Sequence, residues 1–569
     1  MQSRISVIVC NCNFDYNCHG CKTSTTHAMG RFINKGNGGF TKSLKKEYVD
    51  KTGLIAFMND QLDSDSRFVC CTRARRFGKT MAARMLCAYY DKSCDSRSLF
   101  EGLEIASDKP VNPEDKDGPK MRDTFEKHLN KYPTIYIDMT GFVSRRDVYG
   151  DNLVGAVEKE LSEDLRAAYP DIAFSGNELL ANVLLKIYNS TKEMFILIMD
   201  EWDAILRESS IKDKVAKDWI GFLRSLFKDE NNNLVFAGVY LTGILPIIKH
   251  NTQSALNNFR EYNIITPGPI AKYLGFTKEE VQDLCRKHNM GFEEMETWYD
   301  GYQSRDLCSI FNPNSVMMAI DYRKCIQYWG RTGAADELVP YLRLELKKDV
   351  QTLLEGGSIP VKTDSFNNRL DDTNTRDKVF TALIHLGYLS YDGKRARIPN
   401  QELMLYFASN IEDADLGDLS KVLSLSRRCL DSIEYNDCEE VSDLIAYVHN
   451  DVCGAQEYNK EQLLYTTLRE ALYYAHSQYI FHREYPSGKG FADLVLIPRP
   501  GNRIPGIVVE LKWDKDAQGP IAQIKGRNYT QKVFEYTKDV ILVGINYDPK
   551  TKEHQCTIEN VSAPGKDSI

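Results

Sequence analysis

A short apolar run, Phe68–Thr72, leads directly into Arg73-Ala-Arg-Arg-Phe-Gly-Lys-Thr80 and then into a helical stretch from Met81 to Tyr90. Strand, glycine-lysine-threonine loop and helix in immediate succession constrain the fold strongly. Such a loop is useful at the carboxyl edge of a parallel sheet, where its amides and the helix N-terminus face an anion. The surrounding sequence agrees. From Phe68 to about Leu245, apolar runs alternate with helical stretches, the clearest being Thr134–Asp138, Phe195–Met199 and Leu234–Leu241. Each run is continuously apolar, as expected of strands covered by helices on both faces.

Measured against G-x-x-x-x-G-K-[ST], the loop has Arg73 in place of the first glycine, while Gly78, Lys79 and Thr80 stand in register. In that role the amides cradle phosphates, Lys79 reaches the β and γ phosphates of ATP, and Thr80 holds Mg²⁺ through its hydroxyl. Gly-Lys-Thr after basic residues also reads as a solvated helix cap. Phe195–Met199 runs into Asp200 and Glu201, two carboxylates where ligands sit in parallel sheets. Asp200 would hold Mg²⁺ through water and Glu201 would polarise the attacking water. Asp203 reads either as assisting there or, the better expectation, as a cap of the next turn. Thr242, after the Leu234–Leu241 run, reads either as a γ-phosphate sensor or as the start of a turn. The order of loop, helix, acidic strand and polar strand end favours nucleotide binding.

A second chemistry-bearing pattern lies near the other end. Val508–Trp513 is an apolar strand carrying Glu510 and Lys512, with Asp493 on a strand-like segment seventeen residues before Glu510. Residues two apart on a strand share a face, so Glu510 and Lys512 project together while Leu511 turns into the core. Asp493 and Glu510 offer hard oxygens to Mg²⁺, and Lys512 would orient or deprotonate a water at a phosphodiester. Gly490–Pro498, a polar turn from Arg499 to Pro505, and the next strand read as a hairpin that brings Asp493 beside Glu510. A bare Glu-x-Lys is also an ordinary solvated pair. The window from Phe481 to Thr530 holds eight Lys/Arg against five Asp/Glu, in a chain of net charge −8. Any nucleic-acid contact must therefore be local.

At 569 residues the chain is too long for one core. Its expected divisions are a leader over 1–28, an ATPase domain over 29–265, a helical connecting domain over 266–440, an α/β domain over 441–560 and a tail over 561–569. Thr277 and Glu280 form a capping box that starts a helix of the connecting region. Gly356–Pro360 reads as a short loop inside it. A long helical pattern runs from about Val441 to Tyr479. No apolar run approaches the ~18 residues of a membrane span, and the fifteen scattered cysteines fit reduced thiols in a cytoplasmic protein. Cys10, Cys12, Cys18 and Cys21, near His19 and His27, invite a zinc reading, but the first pair is tightly spaced. An unstructured leader, with Met29 as the true start, is the better expectation.

These segments together resemble a prokaryotic family, the AAA-ATPase-like proteins with a C-terminal PD-(D/E)XK nuclease domain. The resemblance rests on Phe32–Phe40, Tyr48–Ile55, Arg73–Thr80, Asp200–Asp203, Trp298–Tyr302, Asn312 with Pro313, and Leu386–Leu389. It spans nearly everything after Met29. It implies that Arg73 is a feature of the subtype and belongs with Gly78, Lys79, Thr80, Asp200 and Thr242 in a nucleotide site. Ala74, where the family often has proline, is a departure that bears on loop rigidity. For the C-terminal domain it implies a nuclease signature of Asp493, Glu510 and Lys512, with Gln523 and Tyr529 on a following helix, Glu461 as an accessory carboxylate and Gly490 at a close turn. The implied fold is α/β multidomain: a P-loop NTPase parallel sheet, a helical middle domain and a C-terminal α/β restriction-endonuclease-like domain.

Two functions follow. One is an ATP- and Mg²⁺-dependent nucleic-acid-processing enzyme whose nucleotide state gates the distal site. The other is a regulatory or defence-type NTPase switch whose nuclease-like domain binds a partner or nucleic acid without cutting. A homo-oligomer would supply an arginine in trans, for which Arg75, Arg76 and Arg260 are the candidates.

Overall fold

The computed structural model describes residues 30–112, 114–115, 118–208, 210–247, 256–302, 309–332, 338, 341–342, 344–364, 366, 373–412, 417–452, 461–487, 490–513 and 518–563. The cysteines and histidines of the first 28 positions lie outside them.

The expected parallel sheet is present. Its strands are β1 (Phe68–Thr72), β2 (Thr134–Asp138), β3 (Phe195–Asp200), β4 (Phe236–Gly243) and β5 (Arg260–Tyr262). They lie in the order β2-β3-β4-β1-β5 with every pair parallel. Alternate residues feed opposite cores, as the strand period of two requires. Val69, Cys71, Ile196, Ile198 and Tyr240 join Leu54, Leu86 and Phe125 on one side, while Phe68, Cys70, Leu197, Met199 and Leu241 join Leu161, Leu184 and Leu223 on the other. Because β4 sits between β1 and β3, Thr242 is in register with both Cys71 and Asp200. That register brings the ends of three strands to one place. It also overturns the turn reading of Thr242, which lies inside β4 and is fully buried. The apolar run at Leu234 pairs later than expected, since Leu234 itself is exposed.

Helices dominate the middle region. Thr277 and Glu280 form the expected capping box ahead of Lys278–His288. Asn312 caps Pro313–Tyr322 by accepting from Ser315 N at 3.2 Å. Helix Arg376–Leu386 stops at Gly387, whose φ of 87° suits the left-handed cap, with Tyr388 N bonded to Leu383 O. The region is not wholly helical. β6 (Ile359–Pro360), β7 (Ser390–Tyr391) and β8 (Arg395–Arg397) form a small sheet in the order β6-β8-β7. The loop expected over Gly356–Pro360 therefore ends in a strand.

A second five-stranded sheet follows, ordered β13-β12-β11-β10-β9, from β9 (Tyr479–Ser487), β10 (Gly490–Pro498), β11 (Gly506–Trp513), β12 (Asp539–Asp548) and β13 (Glu553–Ser562). β9, β10 and β11 are antiparallel neighbours, and β11 pairs in parallel with β12 across helix Gln518–Arg527. The helical pattern expected as far as Tyr479 ends sooner, at Ala471 and a short 3-10 turn. Tyr479-Ile-Phe belongs to a strand, in keeping with its aromatic and β-branched side chains. Among the described residues no helix is long and apolar enough to cross a membrane.

Candidate functional site

The first site lies where β1, β4 and β3 end. Gly78, with φ of 86°, caps helix Lys79–Tyr90, and Arg76 is also left-handed at 71°. This curled loop leaves Lys79 96% buried, its ammonium donating to Ala74 O at 3.0 Å and lying 3.6 Å from Glu201 Oε1. The ammonium is thus held between a carbonyl and a carboxylate at the start of the helix. Thr80 hydrogen-bonds Asp200. Asp200 is buried at the end of β3, and its other oxygen, Oδ1, has no hydrogen-bond partner. Burial, with Glu201 and Asp138 adding repulsion, pushes its pKa up to about 7 against the pull of Thr80 and Lys79. The Thr242 hydroxyl beside it is likewise buried without a partner. Orphaned oxygen donors next to a threonine hydroxyl fit a hard divalent cation and its phosphates.

Three neighbours of this site differ from expectation. Arg73 does not point at the loop cavity; its guanidinium is buried and donates to the carbonyls of Thr72 and Tyr262. Asp203 stands at the first position before helix Ala204–Arg207 but makes no side-chain cap. Its Oδ2 instead accepts from Ile244 N at 3.1 Å and Leu245 N at 2.7 Å, the amides that follow β4. Gly243 permits this approach, because a Cβ there would lie 2.4 Å from Asp203 Oδ1. Arg207, which the sequence reading passed over, bridges Glu201 and Asp203. Its signal was present as an i,i+4 pair with Asp203. Of the candidate arginines, Arg75 lies near Glu201, Arg76 faces Glu402 and Arg260 is exposed in β5 beside Val69.

The second site lies on β10 and β11. The ladder pairs Leu494 with Val509, so Asp493 falls opposite Glu510. On its other side, β9 has Glu484 in a left-handed conformation at φ 48°. Asp493 leaves the regular pairing at this kink and accepts a hydrogen bond from Leu511 N at 2.7 Å. Lys512 donates to Glu510 Oε1 at 2.9 Å, and Gln523, on helix Gln518–Arg527, donates to the same oxygen. Glu510 is 99% buried and its Oε2 has no partner. Burial, reinforced by Asp493, raises its pKa against the opposing pull of Lys512. Two adjacent carboxylates with one uncommitted buried oxygen fit Mg²⁺, which takes few protein ligands and keeps its waters. Among the described residues no cluster of three or more His, Cys, Asp or Glu surrounds them.

Tyr529 is not on the helix, which ends at Arg527 with Asn528 left-handed at φ 56°. It is buried past that stop and accepts from Arg527 at 3.0 Å. Gly490 lies where the chain reverses from β9 to β10, ahead of Asp493. It begins β10 opposite Ser487, and a Cβ there would make a tight contact, 3.0 Å, with the Tyr529 hydroxyl. The basic window is largely committed to the fold: Arg499 donates to His476 O, Arg503 pairs with Glu294 and Lys525 with Glu559. Lys489, Lys515 and the Glu461 side chain lie outside the described residues.

The two sites share one apolar core. Ala74 and Phe77 of the loop, Tyr302, Trp329 and Leu383 of the middle region, and Leu494, Val509 and Val543 of the second sheet belong to a single cluster. The Phe77 ring meets Tyr302 edge-on at 4.9 Å. Residues 41–252 match the family model of a predicted AAA-ATPase, and residues 459–556 match that of the PD-(D/E)XK nuclease superfamily. A search of curated proteins returned no match. Lys79, Asp200 and Thr242, and the hairpin carrying Asp493, Glu510 and Lys512, fall inside these two spans. The chain thus joins an AAA-ATPase-like domain to a C-terminal domain of the PD-(D/E)XK nuclease superfamily.

Proposed function

We propose that this protein binds and hydrolyses ATP with Mg²⁺ at Gly78, Lys79, Thr80, Asp200 and Thr242, and that nucleotide state gates metal-dependent cleavage of nucleic acid at Asp493, Glu510 and Lys512. The observation that carries the reading is the unpartnered Oε2 of Glu510, buried between Asp493 and Lys512. An unsatisfied buried carboxylate oxygen is costly unless a cation meets it. When bound, Mg²⁺ supplies charge neutralisation and a more acidic water. Lys512 lies where it can orient a water or take its proton, and Gln523 holds Glu510 in place. At the other site Lys79 meets phosphate oxygens and Glu201 accepts a proton from water. The shared core supports communication between the sites. Arg73 serves the loop from behind, as a buried prop of β1 and β5, without direct phosphate contact.

Purified protein with Mg²⁺ should cut single- or double-stranded DNA or RNA, with the rate altered by ATP. Asp493→Asn should abolish cutting while sparing ATP hydrolysis, and Lys79→Ala should abolish the ATP response. Cleavage that survives Asp493→Asn overturns the nuclease assignment. A nucleotide-dependent change in partner or nucleic-acid affinity, without cutting by the wild type, favours the non-cleaving switch.

A further inference from the structure

We infer that Arg207 is a positioning residue for ATP hydrolysis, holding Glu201 in place when phosphate takes Lys79 away from it. The inference rests on the nucleotide reading above. Glu201 has a left-handed backbone, φ 53°, at the turn leaving β3. Its two oxygens are divided: Oε1 lies 3.6 Å from Lys79 Nζ, and Oε2 pairs with Arg207. The same guanidinium donates through Nε to Asp203 Oδ2 at 2.9 Å. Asp203 is fully buried and in turn accepts the amides of Ile244 and Leu245. Arg207 thereby ties Glu201 to the residues just beyond Thr242. A planar fork fixes two carboxylates relative to each other in a way that a lysine cannot.

The consequence follows from charge. Lys79 is the ammonium that must meet the phosphates, and its 3.6 Å contact with Glu201 is the looser of the two. An incoming phosphate competes for Lys79 and repels Glu201. Oε1 is then released to accept from water, while Arg207 keeps Oε2 and prevents the carboxylate from swinging away. In the step itself the water oxygen bonds the γ-phosphorus, the bond from that phosphorus to the β-phosphate oxygen breaks, and Glu201 takes the water's proton. Removing Arg207 should therefore slow hydrolysis without loosening ATP.

The test compares wild type, Arg207→Ala, Arg207→Lys, Glu201→Gln and the Arg207→Ala/Glu201→Gln double variant of the full chain by ATPase kinetics and fluorescent-ATP binding, with thermal unfolding as a check. Arg207→Ala should lower kcat about 10²-fold while KM and ATP affinity change less than about threefold, because misplacing a reacting group costs rate rather than binding. Arg207→Lys should recover part of kcat by restoring the pair with Glu201. In the Glu201→Gln background, Arg207→Ala should cost little more, since both variants remove the same function. Unchanged kcat in a folded Arg207→Ala protein overturns the inference. So does a full additional loss in the double variant, and so does a variant that fails to fold while Arg207→Lys folds with no activity. Lys79→Ala is the separate control. Wild-type ATP hydrolysis by that variant overturns the nucleotide reading, and this inference with it.

Discussion

Gly387→Ala tests whether the middle region holds the phosphate loop in shape. Gly387 ends helix Arg376–Leu386 with φ of 87°, and a Cβ on it would lie 2.3 Å from Ala74 Cβ and 3.3 Å from Trp329 Cη2. Carbon atoms rest about 3.5–4.0 Å apart, so the loop and the helix end must separate by more than about 1 Å. The left-handed backbone costs alanine about 1 kcal/mol, and forcing a methyl into a filled core about 1–3 kcal/mol. The Gly387→Ala variant should therefore lose about 2–4 kcal/mol of stability. It should also weaken ATP binding, because Lys79 donates to the carbonyl of the displaced Ala74. Ala74→Gly is the compensating change: the nearest loop atom is then the α-carbon of position 74, at 3.7 Å, which is ordinary contact. In the double variant the clash with position 74 should vanish, leaving the backbone cost, the tight contact with Trp329 and a favourable coupling of about 1–3 kcal/mol. Denaturant midpoints and fluorescent-ATP titrations on the four proteins measure both quantities. Strictly additive costs, or wild-type ATP affinity in Gly387→Ala, would refute a loop held by this contact.

Gln523→Ala removes a donor to Glu510 and should raise the Mg²⁺ concentration needed for half-maximal cleavage by about 10–100-fold, the usual effect of losing support behind a metal ligand. Glu402 is 99% buried, accepts from Ser315, Tyr328 N and Trp329 N, and has its pKa raised by burial to about 7. Its folded form holds a proton that the unfolded form gives up near its ordinary value, so its contribution to stability falls as pH rises from about 4.5 to 7. Glu402→Gln keeps the hydrogen bonds without the charge. Its stability relative to wild type should grow by about 3 kcal/mol across that window, read by denaturation at a series of pH values, and a constant difference would count against the reading.

Local patterns carried the legible part of the molecule. Continuous apolar runs exposed the buried strands of the first sheet, since both faces of Phe68–Thr72 and Phe195–Asp200 are covered. The spacing of Asp493 and Glu510 exposed the hairpin, because antiparallel register follows from the chain between them. Features that depend on distant partners were not legible. Asp203 looked like a cap because caps are local, whereas its donors lie forty-one and forty-two residues away. Gly490 was legible as a residue of the reversal between β9 and β10, whereas its close approach to Tyr529 was not. The basic window looked open because charge counts ignore pairing, and Arg503 is taken by Glu294 of the middle region. Arg73 looked like part of a phosphate cradle, but a residue at the end of a central strand can turn its side chain behind the loop, toward Tyr262.

The same distinction bears on how the two sites communicate. Gln401 and Glu402 are neighbours at the start of helix Gln401–Glu412, yet they hold opposite ends of the shared core. Glu402 holds Tyr328 and Trp329, and Trp329 lies against the contact between Gly387 and Ala74. Gln401 donates to Ser477 O at 2.6 Å, two residues before β9. Protein cores are packed too densely to absorb a displacement gradually. A loop that moves Ala74 on binding phosphate must either break its contact with Gly387 or carry Trp329, Glu402 and the start of this helix with it. In the first case the middle region loses a prop. In the second, Ser477 and the edge strand β9 are pulled, and β9 pairs directly with the strand that carries Asp493. Under the proposed gating it is this second outcome that links Asp493 to the phosphate loop, whereas a contact that simply breaks at Gly387 leaves the two sites independent.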